Sequence, residues 1–239
     1  MGELFRSELL GTAVMLTLGV GVSANAALPR TKGRGSAYVV CALGWALGVM
    51  CGVYLAPASG AHLNPAVTFA RVVEGSGELA PGISTTPATV AVYVVAQLLG
   101  AFLGACLAWC AYRTHFEPGA PAAGSVTVFA TGPDQRDHVA SLVAEAVGTG
   151  VLVLVVLEMG RTPSGLGPFG TALVVLGVGL GLGGPTGWAL NPARDLGARL
   201  AHALLPVRGR TTSDWGYAWV PVAGPLLGGA AAALVSAAW

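Results

Sequence analysis

Ala61-His62-Leu63-Asn64-Pro65-Ala66-Val67 is answered 127 residues later by Trp188-Ala189-Leu190-Asn191-Pro192-Ala193-Arg194, and both stretches lie in otherwise apolar sequence. Each Asn-Pro-Ala triplet reads as the start of a helix. Asparagine is a good N-cap, because its side-chain oxygen accepts from the free N–H groups of the first turn. Proline suits the next position, where its missing donor costs nothing and its fixed φ is already helical. Two helix starts set into hydrophobic sequence, one in each half of the chain, point to a pore.

The surrounding composition places that pore in a membrane. Of 239 residues, 54% are hydrophobic and only 10% charged, against about 25% charged in an ordinary soluble domain. The mean hydropathy is +0.70, and the 36 glycines fit helices packed backbone to backbone. A net charge of +1 argues against a nucleic-acid partner or a polybasic membrane tether. Cys41, Cys51, Cys106 and Cys110 lie in apolar stretches without metal-type spacing and are expected to be small core fillers. The first apolar stretch runs into a short polar turn and is expected to be a span, not a cleavable signal. Arg6 stands where a myristoylation site needs a hydroxyl residue.

Crossing about 30 Å of hydrocarbon takes about 20 apolar residues. Such runs fall near 6–28, 36–56, 88–111, 138–159, 168–186 and 216–238, separated by Pro29–Arg34, Gly75–Pro87, Glu117–Asp137, Gly160–Gly167 and Pro206–Asp214. Two segments, about 65–74 and 192–204, are too short to cross alone. A ten-residue helix covers about 15 Å, so two meeting end to end span one bilayer. The halves also match elsewhere: Glu8-Leu9-Leu10-Gly11-Thr12 with Glu145-Ala146-Val147-Gly148-Thr149, and Leu98-Leu99-Gly100 with Leu226-Leu227-Gly228. The expected fold is therefore an all-α membrane protein of six transmembrane helices and two half-membrane re-entrant helices. It forms a single channel domain over 1–239, with repeats of about 1–112 and 137–239. Three spans per repeat force the second repeat to sit inverted, which puts the functional site at the bilayer midplane. Non-helical backbone at that depth must line a polar cavity or be buried in protein.

This pattern resembles the major intrinsic protein family, the aquaporins and glycerol facilitators, over nearly the whole chain. The resemblance implies that Asn64, Pro65, Ala66, Asn191, Pro192 and Ala193 form the pore waist. There the positive ends of two half-helices face one another and repel cations. The amides of Asn64 and Asn191 would donate to a passing oxygen and interrupt proton hopping. The stretches before the triplets would turn carbonyls into the pore, at Gly60, Ala61 and His62 and at Gly187 and Ala189. His62 alone also reads as a ligand or relay, against a ring bonded to nearby backbone. An intramembrane carboxylate is by default a functional group. Glu8 and Glu145 therefore read as proton sites or, as the family uses them, as braces for the re-entrant loops. Arg194 stands at the family's selectivity arginine, against a mere interfacial snorkel. Asp195 follows as structural support, with Arg199 four residues on.

The branch follows from the constriction. Asp195, Arg199 and the pair Pro221-Val222 resemble the glycerol-conducting members. The expected filter is Trp45, Gly179, Trp188 and Arg194. Trp188 stands where glycerol facilitators carry Phe, and Trp45 is placed by a one-residue deletion near Pro57; an ungapped count substitutes Gly44. Each tryptophan alone also reads as helix packing. None of the four histidines lies in the fifth span, where water-selective members usually place one. The reading is a passive channel for glycerol and similar small neutral solutes with some water, excluding ions and protons. Its rivals are a water-selective aquaporin and a proton-coupled transporter. No nucleophile–base set, metal spacing or phosphate loop suggests an enzyme, and no cofactor or metal is expected. The resemblance implies a homotetramer in the cell membrane with both termini cytoplasmic. Nine of the twelve Lys and Arg then fall in outside loops, against the positive-inside tendency.

Overall fold

The computed structural model describes residues 1–116, 125–207, 210 and 212–239. Parts of the expected Glu117–Asp137 and Pro206–Asp214 connections, Arg208 included, lie outside the described residues. Among those described, the helices are α1 (Gly2–Ala27), α2 (Tyr38–Leu55), α3 (Pro65–Glu74), α4 (Pro87–Tyr112), α5 (Ser125–Phe129), α6 (His138–Met159), α7 (Pro168–Leu182), α8 (Pro192–Leu204) and α9 (Val220–Ala238). The six expected spans are α1, α2, α4, α6, α7 and α9, and the two short segments are α3 and α8.

Local chemistry sets the boundaries. Asn64 and Asn191 cap α3 and α8 with Pro65 and Pro192 directly behind them. Asp137 caps α6, and Thr86 with Thr89 forms a capping box on α4. α7 stops at Leu182, four residues before the expected end of its span, because Gly183-Gly184-Pro185 follows. Glycine is a poor helix former and proline removes a donor. α1, α2, α4, α6 and α9 are each long and apolar enough to cross a bilayer, whereas the 15 residues of α7 are apolar but shorter. At 1.5 Å per residue α7 covers about 22 Å, and the chain turns directly after it, with Gly187 N donating to the Gly183 carbonyl at 2.8 Å. Two features fall in stretches expected only as connections: the hairpin of β1 (Glu78–Ala80) and β2 (Ile83–Ser84), and the helix α5.

The halves interlock. α1 packs on α4 and α2, α6 on α9 and α7, and α2 on α7 across the middle. Each half-helix crosses over: α3 packs on α9 and α8 on α4. The closest approaches use glycine. A Cβ at Gly100 of α4 would stand 2.5 Å from the Leu9 carbonyl of α1, and one at Gly228 of α9 would overlap the Ala146 carbonyl of α6. Without lipid-phase hydrophobic drive, such backbone contact is what holds membrane helices together.

Candidate functional site

The segments entering α3 and α8 share one unusual backbone. Gly60, Ala61 and Leu63 have φ of 71°, 55° and 53°, and Gly187, Trp188 and Leu190 have 80°, 41° and 51°. A left-handed non-glycine residue costs about 1–3 kcal/mol and persists only where its surroundings over-determine it. Here a buried carboxylate does so. Glu8 accepts from His62 N at 2.9 Å, Leu63 N at 2.8 Å, the Ser59 hydroxyl at 2.5 Å and Gln97 Nε2 at 2.7 Å. Glu145 accepts from Ala189 N at 2.9 Å, Leu190 N at 2.8 Å and the Thr186 hydroxyl at 2.6 Å. Every partner of either carboxyl group is able to donate to it. Both side chains are fully buried.

The loops lock to each other at their tips. Asn64 Nδ2 donates to the Leu190 carbonyl at 2.8 Å, and Asn191 Nδ2 donates to the Leu63 carbonyl at 2.7 Å. Their Oδ1 atoms cap the helices, accepting from Ala66 N at 2.8 Å and from Ala193 N and Arg194 N at 3.0 and 3.1 Å. An amide nitrogen carries two hydrogens, so each asparagine spends one across the waist and keeps one. Both asparagines border a cavity of about 160 Å³, well above the about 10–15 Å³ that a single water needs.

One wall of that cavity is apolar. α2 contributes Trp45, Val49 and Val53, α6 Leu152 and Val156, α7 Thr171 and Val175, with Met15 and Val67 beside them. The i, i+4 spacing puts each set on one helix face. Gly60, Ala61, His62 and Ala189 border the same cavity. Among the described residues none donates to their carbonyls, so these acceptors remain for a solute. The Leu63 and Leu190 carbonyls, in the stretches expected to face the pore, are instead taken by the asparagines. Gly187 is not among the residues bounding the cavity; its N–H closes a turn on the Gly183 carbonyl at 2.8 Å. The side chain of His62 is engaged by protein groups. Its ring bonds Thr68 Oγ1 at 3.0 Å and the Leu79 carbonyl at 2.9 Å and stacks on Tyr93.

Trp45, Trp188 and Arg194 also border the cavity. Arg194 Cζ lies 4.0 Å from the Trp45 ring centroid, and Nη1 donates to the Phe129 carbonyl at 3.1 Å. A cation over an indole face is attracted by the ring quadrupole. The Trp45 indole N–H donates to Ser23 at 3.1 Å. Gly44, the alternative to Trp45, faces α1: a Cβ there would stand 2.6 Å from Val22. Gly179 does not border the cavity either. It backs the Trp188 indole, with room for a Cβ only 3.3 Å from Cε2.

Behind Arg194, Asp195 forms a bidentate pair with Arg199 at 2.7 and 3.0 Å, both side chains fully buried. Asp195 also accepts from Thr131 N at 2.8 Å and Oγ1 at 2.7 Å, and Arg199 donates to the carbonyls of Thr131 and Ser213, each at 2.8 Å. α8 thereby grips the segment that presents the Phe129 carbonyl. Ser59, Thr186, Gln97, Phe129 and Thr131 were not singled out by the sequence. Ser59 and Thr186 lie 127 residues apart, five before each asparagine, so extending the repeat comparison upstream finds them. Gln97 is a polar residue in an apolar span. Phe129 acts through its backbone, which no side-chain type reveals.

Three comparisons bear on this geometry. A family model described as "Major intrinsic protein" matches residues 3–236. The chain is 42% identical over 238 residues to a glycerol uptake facilitator protein of Streptococcus pneumoniae, covering 98% of each chain. It is 43% identical over 232 residues to a probable glycerol uptake facilitator protein of Thermotoga maritima, covering 95% of each. Among solved structures, an aquaglyceroporin from Plasmodium falciparum superposes with a TM-score of 0.85 at 29% identity, over 99% of this chain and 95% of that one.

Proposed function

The chain belongs to the major intrinsic protein family, and from that premise we infer a passive channel, not an enzyme, that carries glycerol and similar small neutral solutes, with some water, across the cell membrane. The observation that carries this reading is the pairing of an apolar wall with a row of unclaimed carbonyls, closed at the middle by two crossed asparagine amides. A polyol has one face of carbon and one of hydroxyls. Its carbon face lies along Trp45, Trp188, Val49 and Val175, while its hydroxyls donate to Ala189, His62, Ala61 and Gly60 carbonyls and accept from Arg194.

At the waist the remaining amide hydrogens of Asn64 and Asn191 meet an oxygen from two sides. A water held there has both lone pairs taken by the amides, so it only donates to its neighbours and accepts a proton from neither. The facing N-terminal ends of α3 and α8 add positive potential at the same point. Pro65, Ala66, Pro192 and Ala193 serve to start those helices at that depth.

Arg194 adds a second barrier to cations at the constriction. Unit charges 4 Å apart at an effective dielectric of 20 interact by about 4 kcal/mol. Proteoliposomes carrying Arg194→Ala are therefore expected to collapse an imposed pH gradient that wild type holds, while still passing glycerol. A proton-tight variant with an unchanged glycerol-to-water ratio would remove Arg194 from the filter.

We read the chain as two inverted repeats of about 1–112 and 137–239, four copies to an assembly, both termini cytoplasmic. Against the loop-charge imbalance stands the engagement of Arg194, Arg199, Arg136 and Arg210 by protein groups. Arg136 pairs with Asp214 at 2.7 Å, and Arg210 donates to the His202, Ala203 and Leu205 carbonyls at the end of α8. A C-terminal reporter active only outside the cytoplasm, or a monomeric mass in mild detergent, contradicts this arrangement.

A further inference from the structure

The Trp188 indole is bounded by groups that do not border the cavity. On one side lies the bare backbone just past the end of α7, where a Cβ at Gly183 would overlap Trp188, the Tyr38 hydroxyl and the Gly179 carbonyl. On another, the Tyr38 ring meets the indole edge-on, with centroids 5.0 Å apart and planes at 72°. The Tyr38 hydroxyl donates to the Gly179 carbonyl at 3.0 Å. This one side chain bridges α2 to α7 beside the constriction, yet it is not among the residues bounding the cavity.

We propose that Tyr38 is a positioning residue for solute size: with Gly183 it fixes the tilt of the Trp188 indole and so the cross-section open to a linear polyol. The proposal rests on the glycerol-channel reading. Tyr38 is 45% exposed, so its removal takes little from the core, while the indole loses its only edge contact to another aromatic ring among the described residues. Gly183 has the opposite effect. With no Cβ there the indole lies back against α7; a methyl group drives it toward the lumen or against the phenol.

The test is the ratio of erythritol to glycerol flux in proteoliposomes, with water flux as the control for insertion. Tyr38→Ala is expected to raise that ratio by about two- to tenfold, the scale of one edge-to-face aromatic contact. Tyr38→Phe keeps the ring edge but loses the anchor on Gly179, and falls between. Gly183→Ala lowers the ratio, and adding Tyr38→Ala to it moves the ratio back toward wild type, because the vacated space takes the displaced indole. A Tyr38→Ala channel with wild-type water flux and an unchanged ratio overturns the proposal alone. Loss of water, glycerol and erythritol in equal proportion also overturns it, since that marks a structural role. A wild type that passes water but no glycerol overturns the channel reading and this proposal with it.

Discussion

Replacing Glu145 with leucine is expected to abolish glycerol flux in proteoliposomes, to below about a hundredth of wild type per inserted channel, and to lower the unfolding temperature in detergent. The substitution strips the common acceptor from Ala189 N, Leu190 N and the Thr186 hydroxyl. A buried donor left without a partner costs about 1–3 kcal/mol. The same carboxylate holds Trp188 and Leu190 at positive φ, where each residue stores about 1–3 kcal/mol of strain. Released from Glu145, the loop relaxes and takes the Ala189 carbonyl, the Asn191 amide and the Trp188 ring out of register together. Glu145→Gln separates size from acceptor count: it keeps one oxygen but turns an NH₂ toward a backbone donor, and should retain partial flux. Glu8→Leu should match Glu145→Leu, with Gln97 Nε2 losing its Glu8 partner. A Glu145→Leu channel with wild-type glycerol flux would mean that the loop holds its shape without the brace.

Asp195→Ala is expected to be nearly as damaging, by a different route. Breaking one side of a buried ion pair costs about 3–5 kcal/mol, because the surviving charge is left uncompensated. Here Arg199 stays fully buried with only carbonyl partners, and Thr131 N and Oγ1 lose their acceptor. The expected result is a marked fall in thermal stability. A loosened Phe129 carbonyl also frees the Arg194 guanidinium, which should broaden solute selection in whatever protein survives. Replacing both partners, as Asp195→Leu with Arg199→Met, should recover stability relative to Asp195→Ala, since an apolar pair of similar volume removes the orphaned charge. Equal stability of the single and double variants, measured by thermal unfolding in one detergent, would argue that the pair contributes no net constraint.

Much of this architecture is legible in the chain because the waist is written twice. Asn64-Pro65-Ala66 and Asn191-Pro192-Ala193 carry their own capping chemistry, and the apolar runs have the length a bilayer demands. Glu8 and Glu145 stand out because a carboxylate in an apolar span needs partners. What stays hidden is tertiary. The crossed amides occupy the Leu63 and Leu190 carbonyls, which no pattern in either stretch announces. Gly179 and Gly187 are not among the residues bounding the cavity, whereas Trp188 and Ala189 are, a distinction that residue type does not announce. The early end of α7 is readable in Gly183-Gly184-Pro185, yet hydropathy alone carries the span past it. The α5 segment matters through the Phe129 carbonyl, and a carbonyl belongs to every residue alike.

The most direct test is the initial rate of glycerol entry into wild-type proteoliposomes, measured against an increasing glycerol gradient with and without an imposed pH gradient. A lumen between two facing half-helices predicts a rate that rises linearly, shows no saturation and ignores the proton gradient. Entry that saturates at low glycerol, depends on the pH gradient, or does not exceed that of empty liposomes contradicts it.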